Sequence, residues 1–415
     1  MNTAPKPLTG VRVLDLGRMF AAPWAGQLLA DLGADVIKVE RFEGDELRAY
    51  GPPFLRDEQA RELRESPYSL ASNRGKRSIA VDLSRAEGCD LTRRLALACD
   101  VVIENFKVGD LARKGLDHAS LKALKPELIY CSITGFGQTG PYAGRPGVDT
   151  MFQAMSGLMS VTGEPDGEPQ KSGVVIVDLI TGLYAVVAVL AGLRHREVNG
   201  GPGQAIDLAL LDAAVATTSH RAMEYLMGGR PPVRAGTGTP GNVPARIFPC
   251  REGMLSVQAG GEAQFKKLCR ALDRLDWLED ERFRDRRARV AHEAVLTSLL
   301  NDIFRTRTAA EWFAFLEPSG VFCAPYYTID QTFADPQVKH RGLRQTAAHP
   351  AAGDVALIAN PIRFSETPLG AGSAPPMIGE HTAEVLAEVL GLGEAEIAAL
   401  QASGVVAAPV RVYAA

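Results

Sequence analysis

The feature that most constrains this chain is an alternation in its first half, where short β-branched runs are separated by segments of helical apolar spacing. "GVRVLDLG" (10–17) is a strand pattern, "APWAGQLLADLG" (22–33) is spaced as a helix and stops on Gly33, and "ADVIKVER" (34–41) is a strand again. Together they make a βαβ unit. "RSIAVDL" (77–83), "CDLTRRLALA" (89–98) and "CDVVIENF" (99–106) repeat the pattern, and "LIYCSIT" (128–134) adds a further strand. "GVVIVD" (173–178) reads as a strand leading into a helix through about His195, and residues 203–229 as strand then helix. Successive units of this kind predict an α/β fold, a parallel sheet with helices on both faces.

The pattern changes at the Gly/Pro-rich connector "GGRPPVRAGTGTPGNVPAR" (228–246). Beyond it "IFPCREGMLSVQAG" reads as two strands around a Glu252-Gly253 turn. Helices follow in "EAQFKKLCRALD" and "RVAHEAVLTSLLNDIFRTRTAAEWFAFL", and "FCAPYYTI" is strand-like. This stretch has apolar spacing of its own and predicts a smaller α+β domain. The expected division is 1–225 for the first part of the large domain, 226–330 for the small one, and 331–415 as a return to the large one. The residues alone leave that return open. A chain of 415 residues is long enough for two cores.

A formal net charge of −4 gives no reason to expect nucleic acid as a partner. The six cysteines are scattered, without a C-x-x-C pair, as in a reduced, cytoplasmic protein. The opening "MNTAPKPLTG" lacks the apolar stretch of a signal peptide. The run Val174–Leu193 has the length of a membrane span, but Asp178 sits within it and Gly182 interrupts it, so no membrane association is expected. The seven histidines stand apart without clustered carboxylates, and no metal site is expected.

Residues 135–140, "GFGQTG", spell the G-x-G-x-x-G of a dinucleotide turn. That turn must join the first strand to the first helix, so that pyrophosphate meets the helix N-terminus. Here the turn after the first strand is "LGRMFAAPW", which has no glycine pair, and "GFGQTG" runs into "PYAGRPGVD", where no helix can begin. It reads as a loop beside a pocket. Glu40 and Arg41 end the second strand, where an Arg suits an extra phosphate on a nucleotide sugar and a solvated charge pair is the plainer reading. Asp178 falls where a helix opens, and on the residues alone an ordinary helix-capping Asp is the simpler account.

Several longer motifs change that balance. "LLADLGADVIKVER", "NRGKRSIAVDL", "DVVIENF", "ITGFGQTGPY", "GVDTMFQAMSG", "VDLITGLYA", "PGQAIDLALLDA", "FADPQVKHRG" and "IGEHTAEVL" occur in that order, almost end to end. In them the chain resembles the family III CoA-transferases, which include formyl-CoA, carnitine and succinyl-CoA-dependent dicarboxylate CoA-transferases, and also the 2-methylacyl-CoA racemases. The resemblance implies a Rossmann-like large domain, a small domain, and a homodimer whose two chains are interlocked. It implies no permanently bound cofactor, with coenzyme A entering as acyl-CoA substrate and a carboxylic acid as acceptor.

Asp178 matches the nucleophilic Asp of that family, and Asp149 a carboxylate near the reacting carbonyl. In "QAGGEAQF", Gly260 and Gly261 match a glycine-rich loop that covers the nucleophile, where a plain strand-to-helix turn is the alternative. For CoA the resemblance assigns Arg18, Phe20 and Ala21 on the first turn, then Arg41, Asn73, Lys76, Asn105, Phe106 and Arg113. Phe20 stands where the family often has a polar residue. The racemase branch carries a His immediately before the equivalent of Asp149. This chain has Val148 there, which cannot take a proton. A non-catalytic acyl-CoA-binding protein is opposed by the retention of Asp178. An acceptor with a second carboxylate wants an Arg, for which Arg221, Arg234 and Arg246 are candidates; the expected exchange is from succinyl-CoA to a small dicarboxylic acid.

Overall fold

The structure, a computed structural model, describes residues 5–370 and 372–414, so the first four residues of the segment read for a leader lie outside it. The chain divides into two compact units. The first holds Met1–Leu158, Ser172–Ser219 and Lys339–Ala415, and the second Met159–Lys171 and His220–Val338. The boundaries thus fall near, but not at, those drawn from the sequence, and a short piece ahead of Ser172 is grouped with the second unit.

In the first unit the chain runs β1 (Arg12–Asp15), α1 (Ala21–Asp31), β2 (Asp35–Glu40), α2 (Pro67–Ser72), β3 (Arg77–Val81), α3 (Ala86–Leu97), β4 (Val101–Glu104), α4 (His118–Leu124) and β5 (Ile129–Thr134). It continues with α5 (Asp149–Met155), α6 (Ile176–Asn199), β6 (Ala205–Ala209) and α7 (Leu210–Gly228); the helical path of α7 breaks at Ser219, where the first unit ends. The six strands are parallel and ordered β3-β2-β1-β4-β5-β6. Alternate residues go to opposite faces. Val13, Val36, Ile103 and Cys131 join one apolar cluster with α1 and α6, while Leu14, Ile37, Val102 and Tyr130 join another with α3 and α4. Both faces are therefore covered, which is why these strands read as nearly unbroken apolar runs.

The second unit contains β7 (Ala245–Pro249), β8 (Met254–Gln258) and β9 (Cys323–Pro325), an antiparallel sheet, with α8 (Glu262–Ala271) and further helices around a core of Phe248, Phe265, Trp277, Phe304 and Trp312. The chain then rejoins the first unit through a hairpin of β10 (Arg344–His349) and β11 (Gly353–Ile358). It closes with β12 (Val406–Ala407), which adds to the large sheet antiparallel to β3. That last strand is too short to carry a pattern of its own.

One expectation is corrected. "GVVIV" is not a strand: residues 173–175 join no strand and the helix α6 already begins at Ile176. Ile176 and Val177 enter the helix, whose start is capped from outside, as described below. Among the described residues α6 is the one helix long and apolar enough to cross a membrane. It packs on α1, β5 and β6, with 44% of its most apolar window buried.

The contact between α1 and α6 is closest at Gly182. A Cβ there would lie 2.7 Å from Trp24 Cδ1 and 2.8 Å from the Ala21 carbonyl oxygen. Ala gains about 1 kcal/mol over Gly in a helix. Overpacking against backbone and an indole ring costs about 1–3 kcal/mol, and this effect dominates. We expect Gly182→Ala to unfold at lower urea than the wild-type protein; an unchanged or higher midpoint would show that α1 yields freely.

Candidate active site

The sheet order reverses between β1 and β4, which opens a crevice beyond their carboxyl ends. The turn after β1 borders it and is pinned by side chains. Gly17 N–H donates to Asp15 Oδ1 (2.8 Å), and Lys38 Nζ donates to the Gly17 carbonyl (2.8 Å). Arg18 N–H donates to Asn105 Oδ1 (2.8 Å), and Asn105 Nδ2 donates back to the Arg18 carbonyl (2.5 Å). Met19 N–H donates to Asp45 Oδ1 at 3.2 Å and holds Met19 at φ 60°, which few residues other than glycine adopt. The Arg18 guanidinium lies over the Phe106 ring, 4.1 Å from its centre.

Two cavities meet here. One of about 210 Å³ is walled by Gly17, Arg18, Glu40, Arg41, Phe106 and Lys114. The other, about 510 Å³, is walled by Arg18, Phe20, Ala21, Asn105, Phe106, Gly135, the segment Ala143–Val148, Asp149 and Asp178. Arg18 and Phe106 belong to both walls. The "GFGQTG" stretch is a loop without a following helix, and Gln138 N–H ties it to the Asp207 carboxylate (3.0 Å). Its Gly135 passes so close to Phe152 that a Cβ would sit 2.8 Å from the ring.

Asp178 lies in the first turn of α6, half-buried, at the wall of the larger cavity. The residue preceding α6, Val175, provides no side-chain cap. Asp149 supplies it from α5: its Oδ2 accepts from Val177 N–H (2.8 Å) and Asp178 N–H (3.1 Å), and its Oδ1 accepts from Gln153 Nε2 (2.5 Å). The helix dipole favours an anion at this end. Burial, and then the Asp149 charge beside it, outweigh that and push the Asp178 carboxyl up to about 7.

The remaining expected residues are placed as follows. Phe20 and Ala21 are buried at the start of α1, Phe20 stacking on Trp24 at 6.1 Å. Arg41 is exposed beside Glu46 (3.5 Å) in the smaller cavity. Asn73 and Lys76, expected near CoA, are buried and committed. Lys76 Nζ donates to Asp15 Oδ2 (2.7 Å), the Pro23 carbonyl (2.7 Å) and Asn73 Oδ1 (2.9 Å), which leaves it no donor for a ligand. Arg113 is exposed and pairs with Asp110, outside both walls.

In the second unit Gly260 packs against Asn242 where a Cβ would collide, its carbonyl accepts from Arg289 (2.8 Å), and Gly261 precedes α8. The three candidate arginines have partners within that unit. Arg221 pairs with Glu224 (2.6 Å), Arg234 donates to the Gly167 carbonyl (2.7 Å), and Arg246 lies 4.0 Å from Glu293.

Sequence reasoning passed over Gln153, Glu46, Lys107 and Arg145, the last three in the wall of the larger cavity. Gln153 was legible in principle, because it stands four residues after Asp149 on a helical stretch. The others lie on loops and have no such period.

Comparison with known proteins identifies the family. The pattern of CoA-transferase family III matches residues 8–382. A succinate–glutarate CoA-transferase of Agrobacterium fabrum is 47% identical over 390 residues, covering 94% of this chain and 97% of that one. A succinyl-CoA:glutarate CoA-transferase of Homo sapiens is 39% identical over 97% of this chain and 90% of its own length. The crystal structure of a CAIB/BAIF family protein from Brucella suis superposes with a TM-score of 0.84 at 45% identity, covering 93% of this chain and all of that one. With a crevice at the reversal of a parallel sheet and a carboxyl at its wall, the chain belongs to CoA-transferase family III, an enzyme that takes acyl-CoA as its substrate.

Proposed function

We propose that this enzyme moves CoA from succinyl-CoA to a small dicarboxylic acid of the size of glutarate, through covalent chemistry on Asp178. The observation that carries the reading is that Asp178 lies in a cavity whose wall, at Arg18 and Phe106, is shared with the crevice at the sheet reversal. A nucleotide seated in the crevice beside Arg41 extends its pantetheine past Arg18 and brings the thioester to Asp178. The names of the two relatives supply the donor and the acceptor class.

The Asp178 carboxylate attacks the donor thioester and expels CoA thiolate, which leaves a mixed anhydride. The thiolate attacks the Asp178 carbonyl and releases the donor acid, giving an aspartyl thioester. The acceptor carboxylate attacks that carbonyl, expels CoA thiolate again and forms a second anhydride. Thiolate takes the acceptor acyl group and restores the Asp178 carboxylate. Asn105 and Phe106, in the wall of the larger cavity, hold the pantetheine.

Two further parts of the proposal concern setting. A second copy of the chain covers the outer side of α6, where Leu183, Tyr184 and Val187 are 50, 46 and 63% exposed. The enzyme works in the cytoplasm, consistent with six unpaired cysteines.

Three measurements test this reading. Succinyl-CoA mixed with a panel of mono- and dicarboxylic acids is expected to yield new acyl-CoA with the dicarboxylates. Asp178→Ala should lower that rate by about 10⁴-fold or more; exchange retained in the variant would remove Asp178 from the chemistry. The nucleophile is the ionised form and its proton is held up to about 7, so kcat/KM for succinyl-CoA should rise with pH through a midpoint there. Asp149→Asn, which keeps an acceptor for α6 but removes the charge, should move that midpoint down. Sedimentation should give twice the chain mass, and a monomer that exchanges CoA at full rate would refute the dimer.

A further inference from the structure

We infer that Gln153 is a positioning residue: it locks the Asp149 carboxylate against the first turn of α6 and so keeps a charge beside the Asp178 nucleophile. This rests on Asp178 acting as proposed above.

Gln153 is 1% exposed and lies one helical turn after Asp149 on α5. Its amide has only one orientation that works. The Ser172 backbone N–H, which can only donate, points to Oε1 at 2.8 Å, so the oxygen must face Ser172. The Nε2 group is then turned to Asp149 Oδ1, 2.5 Å away. Asp149 Oδ2 meanwhile accepts from two successive N–H groups of α6. Three donors are thus directed at the two oxygens of Asp149, whereas none of this set reaches the Asp178 carboxyl. Gln153 also joins the two ends of the arrangement, since Ser172 lies on the approach to α6 and Asp149 at the start of α5.

The chemical consequence concerns the charge on Asp178. As a free carboxylate it stands beside Asp149 and is repelled; as an anhydride or thioester it is neutral, and the repulsion is gone. A fixed charge on Asp149 therefore favours the acylated enzyme over the free one. The raised proton affinity of Asp178, owed first to burial and then to Asp149, fits the same arrangement. The other charged groups that face this cavity are Arg18 from the turn after β1, Glu46 ahead of α2, Lys107 after β4, and Arg145, whose guanidinium lies 3.8 Å from the centre of the Tyr142 ring.

The test uses the full-length protein as Gln153→Glu and Gln153→Leu, with Asp178→Ala beside them. Two quantities are read: the pH profile of kcat/KM for succinyl-CoA, and the yield of Asp178 hydroxamate when hydroxylamine traps the acylated enzyme. Gln153→Glu keeps the shape but sets another carboxyl against Asp149, so the midpoint should rise. Gln153→Leu removes the donor and frees the Asp149 carboxylate to turn away from Asp178, so the midpoint should fall. Each shift should be about half a pH unit or more. Hydroxamate yield should drop severalfold in Gln153→Leu and not in Gln153→Glu, while KM for succinyl-CoA changes little. If both variants keep the wild-type midpoint and yield, whatever their melting temperature, Gln153 is merely structural and the inference is overturned. If Gln153→Leu fails to fold, the near-isosteric Gln153→Glu decides alone. Exchange surviving in Asp178→Ala instead overturns the nucleophile, a distinct result.

Discussion

The structure depends on charges sealed beneath the turn that follows β1. Lys76 reaches Asp15, Lys38 reaches Gly17 and Asp45, and Arg48 is held between Glu40 and Glu65, all buried. Ser78 Oγ adds a bond to Glu40 at 2.7 Å. Burying such ions costs several kcal/mol each unless every donor and acceptor is used, and removing one partner costs about 3–5 kcal/mol. Here Lys76 uses all three of its protons. Burial lowers the Lys76 ammonium to about 8, while Asp15 beside it keeps it charged at neutral pH. The charges act mainly on geometry. A dinucleotide turn is shaped by glycine torsions, whereas this turn is shaped by carboxylates, an ammonium and the Asn105 amide gripping its backbone. The wall shared by the crevice and the larger cavity is tied at Arg18 by two hydrogen bonds to Asn105.

At the far end of that wall the chemistry asks for the reverse condition. A nucleophile that was fully solvated and stabilised would have little reason to become an acyl group. Asp178 is instead desolvated and stands next to a like charge, so its free carboxylate is the less comfortable state. Helix α6 partly offsets this through its dipole and makes the site tolerable rather than prohibitive. The close seat of Gly182 on α1 then carries the geometry of one end to the other, since α1 begins with the Phe20 and Ala21 that line the cavity.

The parallel sheet was legible because each strand buries both faces, and a run such as "DVVIENF" has no other stable use. The hairpin at Gly253, with φ 76°, was legible for a similar reason, since glycine relieves a left-handed turn that other residues resist. The misreading of "GVVIV" has a physical cause. Local preference for strand was overridden by a cap that comes from Asp149, 28 residues before Val177, and no window around Val175 contains it. Lys76 was assigned to CoA through the resemblance, and only the folded chain shows Asp15, Pro23 and Asn73 using all three of its protons. The candidate arginines for a second carboxylate were chosen by charge alone, and charge does not reveal that a nearby acid or carbonyl already occupies them.

The choice between CoA transfer and racemisation turns on what the cavity offers on each side of a bound acyl group. Racemisation needs two bases flanking the α-carbon. Val148, which takes the place of the expected His, is 54% exposed and lies in the cavity wall, so the position is correct but chemically silent. Asp149 cannot substitute, because its oxygens are held by Val177, Asp178 and Gln153. Among the described residues no histidine lines this cavity. One ionisable carboxyl at the cavity wall, with its neighbour holding the start of its helix, suits the proposed attack on a carbonyl carbon and leaves an α-proton without a second acceptor. Acyl transfer is the chemistry that such an asymmetric pair of carboxylates can perform.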